Sequence, residues 1–585
     1  MTRVLPFILV CSSLFLLSCD GVGSSADARF EALAGHFIER WLVTHPESAT
    51  ELGDHRFDSR LNDYSRAGVE ADIALCKAYS DTLAGIKVEE LSAQHMIDYD
   101  ILRHALEAEL FALEELREWE WNPLQYNTGD AVYILLARES APLTERLAAL
   151  KERLLAIPTV IAEARDNLKR PPAIHTQTAI QQNQGTIALL TETLQAFIDS
   201  VDNPLRHDLG VARDSAVTAL RAYAAWLSGD LLQRSDGDFR LGAELYAKKF
   251  RLRLDSDMSY EDLLARAEQD LERTTEDMYR TALQLYPSLL PGSSPAALPR
   301  ERVIRAVLDR LADEHPSDST IVPQAGKDLA EATAFVKAQG IVTVPDDALD
   351  IIVMPEFQRG VAVAYCDSPG PLEKNGKTFF AIAPTPEDWT DARVLSFYRE
   401  YNNHMLKNLV VHEAMPGHFV QLAVANKAEA PTLLRAIMPS GVFAEGWATY
   451  TEQVMSDAGF GGPALRMQQL KMRLRLLINA MIDQGVHARG MSERDAMALM
   501  MQRGFQEEGE AAGKWRRACL TSAQLSTYYY GNIAINDIRA RYERKMGAAF
   551  SLKNFHDLLL SHGTISPKYL PILLKLPATG EAPGA

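Results

Sequence analysis

Most of this chain is patterned for α-helix. Apolar residues recur every three or four positions over residues 30–43, 98–118, 143–167, 177–200 and 211–232, and each run predicts a helix with one buried face. Abundant Leu, Ala, Glu and Arg in these runs agree with that reading. Between the first two runs, residues 45–65 (HPESATELGDHRFDSRLNDYS) are polar and rich in turn formers, which predicts a connection over the surface. Four prolines and a Gly-Ser-Ser run stop helix growth within residues 285–303. The texture then changes over residues 341–384. LDIIVMP and GVAVAYC are rich in β-branched residues, KTFFAIAP is aromatic and apolar, and Gly/Pro/Asn/Asp clusters separate them. These runs predict a small antiparallel sheet. Helical texture resumes at Asp391.

The N-terminus has a different pattern. Arg3 precedes an uninterrupted apolar run over residues 4–17, too short to span a bilayer but suited to a signal peptide. The run ends Leu16-Leu17-Ser18-Cys19, which resembles a bacterial lipobox and makes Cys19 the expected lipidated N-terminus. Asp20 resembles an inner-membrane retention signal, so the expected location is the cell envelope, facing the periplasm from the inner membrane. The parts are then a signal peptide (1–18), a lipidated tether (19–28), an N-terminal helical region (29–290) and a catalytic region (291–585) that contains the sheet (341–384). Membrane contact is expected through the lipid alone.

Composition narrows the function. The formal net charge of −18 lacks the basic footprint of a nucleic-acid binder. Beyond the leader only Cys19, Cys76, Cys366 and Cys519 remain, with no Cys-x-x-Cys pair, which argues against both a disulfide framework and a thiolate zinc site.

The chemistry concentrates in LVVHEAMPGHFVQ. One His-Glu pair is expected about once by chance among 14 histidines and 78 acidic residues. Here the pair His412-Glu413 is followed by Pro416-Gly417-His418, and Glu445-Gly446-Trp447-Ala448 opens a further helical segment. In a regular helix, positions six apart point about 120° away from one another, so His412 and His418 would not share an ion. Pro416 breaks a rung of the helix and Gly417 tolerates unusual backbone angles, which permits a bulge or unwound turn that returns His418 to the face of His412. Spacing alone leaves a kinked core helix, with a histidine at each end, equally open. The Glu-x-x-Ala segment resembles the third-ligand segment of gluzincin metallopeptidases, in which two imidazoles and a carboxylate bind catalytic zinc.

Taken together, LVVHEAMPGHFVQ and FAEGWATYTEQ resemble the bacterial family catalogued as domain of unknown function 885. ATELGDHRFDSRLNDYS, MIDQGVHARGMSERDA and QLSTYYYG are similar to its other signatures. The resemblance implies a mainly helical, bilobed, zincin-like body. It also implies a zinc site of His412, His418 and Glu445, with Glu413 as general base toward zinc-activated water. His487 and Tyr528, each in a signature segment, become the candidate oxyanion donors, although Tyr529 and Tyr530 compete with Tyr528. Glu452, seven residues after Glu445 on the same helical face, and Asp483 are candidates to orient a histidine. Arg516 and Arg517 could bind a peptide carboxylate bidentately but read more simply as surface arginines and are left outside the site, and His404 is a poorly oriented alternative ligand. The resulting expectation is a zinc-dependent peptidase of short peptides. The rivals are a zinc hydrolase acting on an amide of a cell-wall peptide and a non-catalytic binder. Oligomeric state is open.

Overall fold

The computed structural model describes residues 25–354, 363–373, 376–386 and 389–577. Residues 1–24 lie outside this range, and with them the signal peptide, Cys19 and Asp20. The body is mostly helical. The helices that matter for the site and its support are α1 (Ala26–Thr44), α2 (Ala93–Leu110), α3 (Leu143–Asn167), α4 (Leu205–Trp226), α5 (Tyr260–Leu289), α6 (Asn403–Glu413), α7 (His418–Ala425), α8 (Gly441–Asp457), α9 (Gly462–Arg489), α10 (Glu508–Leu520), α11 (Ser526–Met546) and α12 (Leu552–Leu560). Their starts follow local chemistry. The side chains of Ser25, Ser92, Ser259, Asn402 and Ser440 each accept an N–H from the first turn of the helix that follows.

The 98–118 run belongs to α2, which begins earlier and ends in a π-helical turn, Phe111–Leu116. The 143–167 run is α3 throughout. Residues 45–65 depart from the expected surface connection. They contain a helix, Pro46–Leu52, and a polar cluster buried beneath it. Thr50 donates to Asp58 at 2.8 Å and accepts from the fully buried guanidinium of Arg153 at 2.6 Å. Polar residues therefore face inward here because they satisfy one another.

The sheet comprises β1 (Leu349–Val353), β2 (Ala364–Asp367) and β3 (Thr378–Ile382), in the order β1-β3-β2. It is mixed, not antiparallel as expected: β2 pairs antiparallel with β3, while β1 pairs parallel with it. The reason is topological. β1 and β2 run in opposite directions, and a strand inserted between them must be parallel to one of the two. Phe380 and Ile382 of β3 pack on Leu406, Val410 and Ala414, so the sheet supports the end of α6.

Three large apolar cores hold the helices. One joins α3 and α4. A second is formed by α5, α9 and the start of α11. The third takes Phe30 and Phe37 of α1 and Leu102 and Leu106 of α2, and unites them with Trp447 and Tyr450 of α8 and Phe555 and Leu559 of α12. Cys76, Cys366 and Cys519 are free thiols. No helix among the described residues is long and apolar enough to cross a membrane.

Candidate metal centre

Helix α6 stops at Glu413 because Ala414 leaves helical geometry (φ −122°, ψ −77°) and Pro416 has no N–H to continue the ladder. The chain turns through residues 414–417 and restarts as α7 at His418. Thus the expected unwound turn is a full break between two helices. Its donors stay satisfied: Ala414 and Met415 N–H both donate to the Val410 carbonyl, and Gly417 N–H donates to Val411 at 3.0 Å. Gly417 passes so close to α6 that a Cβ there would stand 1.8 Å from the His412 carbonyl oxygen, so only glycine fits. The indole N–H of Trp447, fully buried on α8, donates to the carbonyls of Pro416 (3.0 Å) and Gly417 (3.3 Å) and pins the turn from below.

This turn sets the rings of His412 and His418 nearly perpendicular, with centroids 4.9 Å apart. Each Nε2 lies 3.6 Å from Oε2 of Glu445, on α8. One ligand atom from each residue falls within 4.8 Å of the other two. A separation of 3.6 Å is too long for a hydrogen bond, and Glu445 Oε2 is buried with no hydrogen-bond partner. Ligands about 2.1 Å from a tetrahedral ion stand about 3.4 Å apart, so an ion between these three donors would resolve the orphaned oxygen. The set fits a divalent metal.

The surrounding groups prepare the donors. His412 Nδ1 is 2.7 Å from Glu452 Oε1, and the other oxygen of Glu452 accepts from Asn408 at 2.7 Å. A carboxylate only accepts, so Nδ1 carries a proton and Nε2 is the ring atom left to face Glu445 and a metal. Burial opposes protonation of His412, but Glu445 and Glu452 outweigh it and raise its pKa well above the ordinary value. Burial likewise would raise Glu445, yet the two imidazoles hold its carboxyl below the usual range. Glu413 points to the other side. Its Oε2 accepts the backbone N–H of Cys366 at 3.1 Å, which is turned away from β3 at the free edge of β2. Burial raises the Glu413 pKa, against the pull of His412 and His418.

Of the three adjacent tyrosines, Tyr528 is the one whose phenol feels Glu445. Burial first, and that carboxylate second, push it up to about 12. Tyr529 instead donates to Asp270 within the second core, and Tyr530 lies toward Ser256. Helices α8 and α11 meet backbone to backbone, since a Cβ on Gly446 would stand 2.6 Å from Gly531. That close approach brings the turn bearing Tyr528 beside the turn bearing Glu445.

Two predicted residues serve the scaffold instead. Asp483 accepts the N–H groups of Ala523 (2.9 Å) and Ser526 (3.0 Å) and the Ser526 hydroxyl, so it anchors the start of α11 and orients no histidine of the cluster. His487 directs Nε2 at the carbonyls of Ala518 and Thr521, both at 2.8 Å, and stacks on Tyr246. With Nε2 committed to those carbonyls and its ring 2% exposed, it braces the scaffold and takes no part in the donor set. His404 pairs with Glu314 and takes no part. Asn408 was not anticipated at the site, and Arg517 reads from sequence as a surface arginine outside it. Arg517 donates to the Tyr528 hydroxyl at 3.0 Å, and its position three and seven residues beyond Lys514 and Glu510, on one helical face, was the available signal.

A mainly helical body with a His-His-Glu donor set at a broken helix thus defines the class. The sequence matches the family described as "Bacterial protein of unknown function (DUF885)" over residues 46–574, and the chain belongs to that family. No functionally curated protein matches it. Among solved structures it is similar to a protein of Shewanella oneidensis designated a lipoprotein of unknown function, at 31% identity and TM-score 0.79, covering 93% of this chain and 99% of the other. A second, designated a lipoprotein from Colwellia psychrerythraea, has 19% identity and TM-score 0.78 over 94% and 99%, and speaks to the fold alone. Metallocarboxypeptidase 1 of Trypanosoma cruzi matches at 11% identity and TM-score 0.36 over 94% and 92%, too low to carry an argument.

Proposed function

We propose that this protein is a zinc-dependent peptidase of short peptides. The observation that carries the reading is the convergence of His412, His418 and Glu445 on one point, with the buried Glu445 oxygen left unpartnered. Zinc held there would supply a Lewis acid that acidifies water and polarises an amide carbonyl. Glu413 is the base: its buried carboxylate accepts the proton of the attacking water and returns it to the leaving nitrogen. The Tyr528 hydroxyl donates to the oxyanion that develops on the carbonyl. The outer edge of β2, whose Cys366 N–H already faces Glu413, offers backbone groups to an extended peptide. Glu452 and Asn408 fix the ring and tautomer of His412.

Lipidation of Cys19 would tether this activity to the envelope membrane on its periplasmic side. The lipoprotein designation of the Shewanella relative supports that placement, and Asp20 favours the inner membrane.

The test is Glu413→Gln. It should keep about one zinc per chain and lose about 100- to 10,000-fold in hydrolysis of short peptides. Undiminished turnover with metal bound would remove Glu413 as the base, and absence of zinc from the parent protein would remove the reading altogether.

A further inference from the structure

One face of helix α10 carries Glu510, Lys514 and Arg517 at spacings of four and three. Behind it lies a buried charge cluster. Glu400, 1% exposed, accepts Lys471 at 2.8 Å, a short contact from Arg475 and the Glu507 N–H at 3.0 Å. Glu510 accepts the Tyr401 hydroxyl at 3.0 Å and stands 3.5 Å from Arg475. Both carboxylates are therefore committed to the inner cations. Lys514 reaches Glu510 only at 3.9 Å, the limit of an ion pair.

Arg517 has no carboxylate within ion-pair distance among the described residues. Its Nη2 meets neutral partners, Gln524 Oε1 at 2.9 Å and Tyr528 Oη at 3.0 Å, and its other N–H donors make no bond among those residues. Among the described residues, Lys471, Arg475, Lys514 and Arg517 thus have only Glu400 and Glu510 within ion-pair distance, and the surplus lies at the Lys514–Arg517 end. That end borders the donor set, since both cations feel the charge of Glu445. In a chain whose net charge is −18, a half-buried positive surplus is no background of composition. A partly desolvated guanidinium without an anion is costly, and a planar fork with free donors suits a carboxylate.

We propose that Arg517, with Lys514 beside it, binds the terminal carboxylate of a peptide, so that the enzyme removes residues from the C-terminal end. This rests on the peptidase reading of the metal centre. Arg517 is a binding residue that sets which end of the peptide enters. Its contact to Tyr528 links the terminal carboxylate to the neighbouring oxyanion donor.

The experiment measures binding of Ala-Ala-Phe with a free carboxylate, and of its C-terminal amide, to the zinc-loaded full chain by calorimetry, in a Glu413→Gln background that prevents turnover. The free acid should bind about 10- to 100-fold tighter than the amide. Adding Arg517→Gln should remove that preference while leaving amide binding unchanged, and Lys514→Met should reduce it in part, which covers a failure of the first variant to fold. Equal binding of acid and amide, no binding of either, or equal weakening of both by Arg517→Gln would each overturn the subsite. Turnover by the protein with Glu413 intact separates the two ideas. Acid preference without hydrolysis leaves the subsite standing and sinks the peptidase, whereas equal hydrolysis of acid and amide does the reverse.

Discussion

Replacing Glu452 tests how firmly the donor set is prearranged. Its carboxylate is 1% exposed and joins His412 Nδ1 to Asn408 Nδ2, each at 2.7 Å. A glutamine there has one orientation compatible with metal binding. Its oxygen must face His412, because an amide nitrogen facing Nδ1 would force the ring proton onto Nε2 and block coordination. The glutamine nitrogen then meets the Asn408 nitrogen, a clash of donors that Asn408 relieves by flipping its amide, presenting the oxygen that now lacks a partner. Glu452→Gln therefore keeps both bonds and loses their charge assistance. A charge-assisted bond contributes about 1.5–3 kcal/mol and a neutral one about 0.5–1.5, so the difference of roughly 1–1.5 kcal/mol predicts about tenfold weaker zinc binding. Glu452→Ala leaves two buried N–H groups without acceptors and should weaken binding about 100-fold. Competition against a chromophoric chelator measures both, with urea unfolding of the metal-free proteins as the control for general damage. Zinc affinity within twofold of the parent in both variants would refute the idea that Glu452 prepares His412.

Trp447→Phe leaves the Pro416 and Gly417 carbonyls without their donor and should cost about 1–3 kcal/mol of stability, read by urea unfolding, together with a loss of zinc affinity. Gly531→Ala places a Cβ 2.2 Å from the Val442 carbonyl oxygen and forces α8 and α11 apart. A loss of about 1–3 kcal/mol is expected, and an unchanged urea midpoint would contradict the close approach. Burial holds His175 and His556 neutral in the folded chain, each with a pKa lowered to about 4. The unfolded chain takes up those protons from about pH 6.5 downward, so their stabilising effect is complete above that pH and is lost as pH falls toward 4. The loss is roughly 3 kcal/mol for each, and unfolding at pH 7 and pH 5 should differ less in His556→Gln than in the parent.

The helical frame was legible wherever one face is continuously apolar. In α3, Leu147, Leu150, Leu154, Ile157 and Ile161 are all buried, and the pattern alone bounds the element. The Pro416-Gly417 pair carried enough information to expect that the helix yields between the histidines, and the seven-residue step from Glu445 to Glu452 put both carboxylates on one face of α8. Strand direction was not legible, because alternating β-branched residues look alike in parallel and antiparallel pairs. Asp483 and His487 misled for another reason. A signature position marks a residue that the fold needs, but not whether that need is chemical, and both bind backbone groups at the start of α11 and the end of α10. Choosing among three consecutive tyrosines requires the rotation of α11, which the Gly446–Gly531 contact determines and which no local pattern reveals. Arg517 was passed over because one turn of a charged helix does not disclose which arginine faces inward.

The core shared by α1, α2, α8 and α12 bears on how the molecule is made. Phe30 and Leu102 share that core with side chains that follow them by more than three hundred residues, including Phe555 and Leu559. Lys568 reaches back to Asp100 at 2.8 Å, and the Tyr569 hydroxyl donates to that same carboxylate at 2.9 Å. During synthesis the first helices therefore emerge before much of the core they share exists, and that core is completed only when nearly the whole chain has left the ribosome. Such long-range closure slows folding and lengthens the time for which a nascent chain depends on chaperones. A chain stopped even thirty residues short would lose both side chains that close on Asp100 of α2.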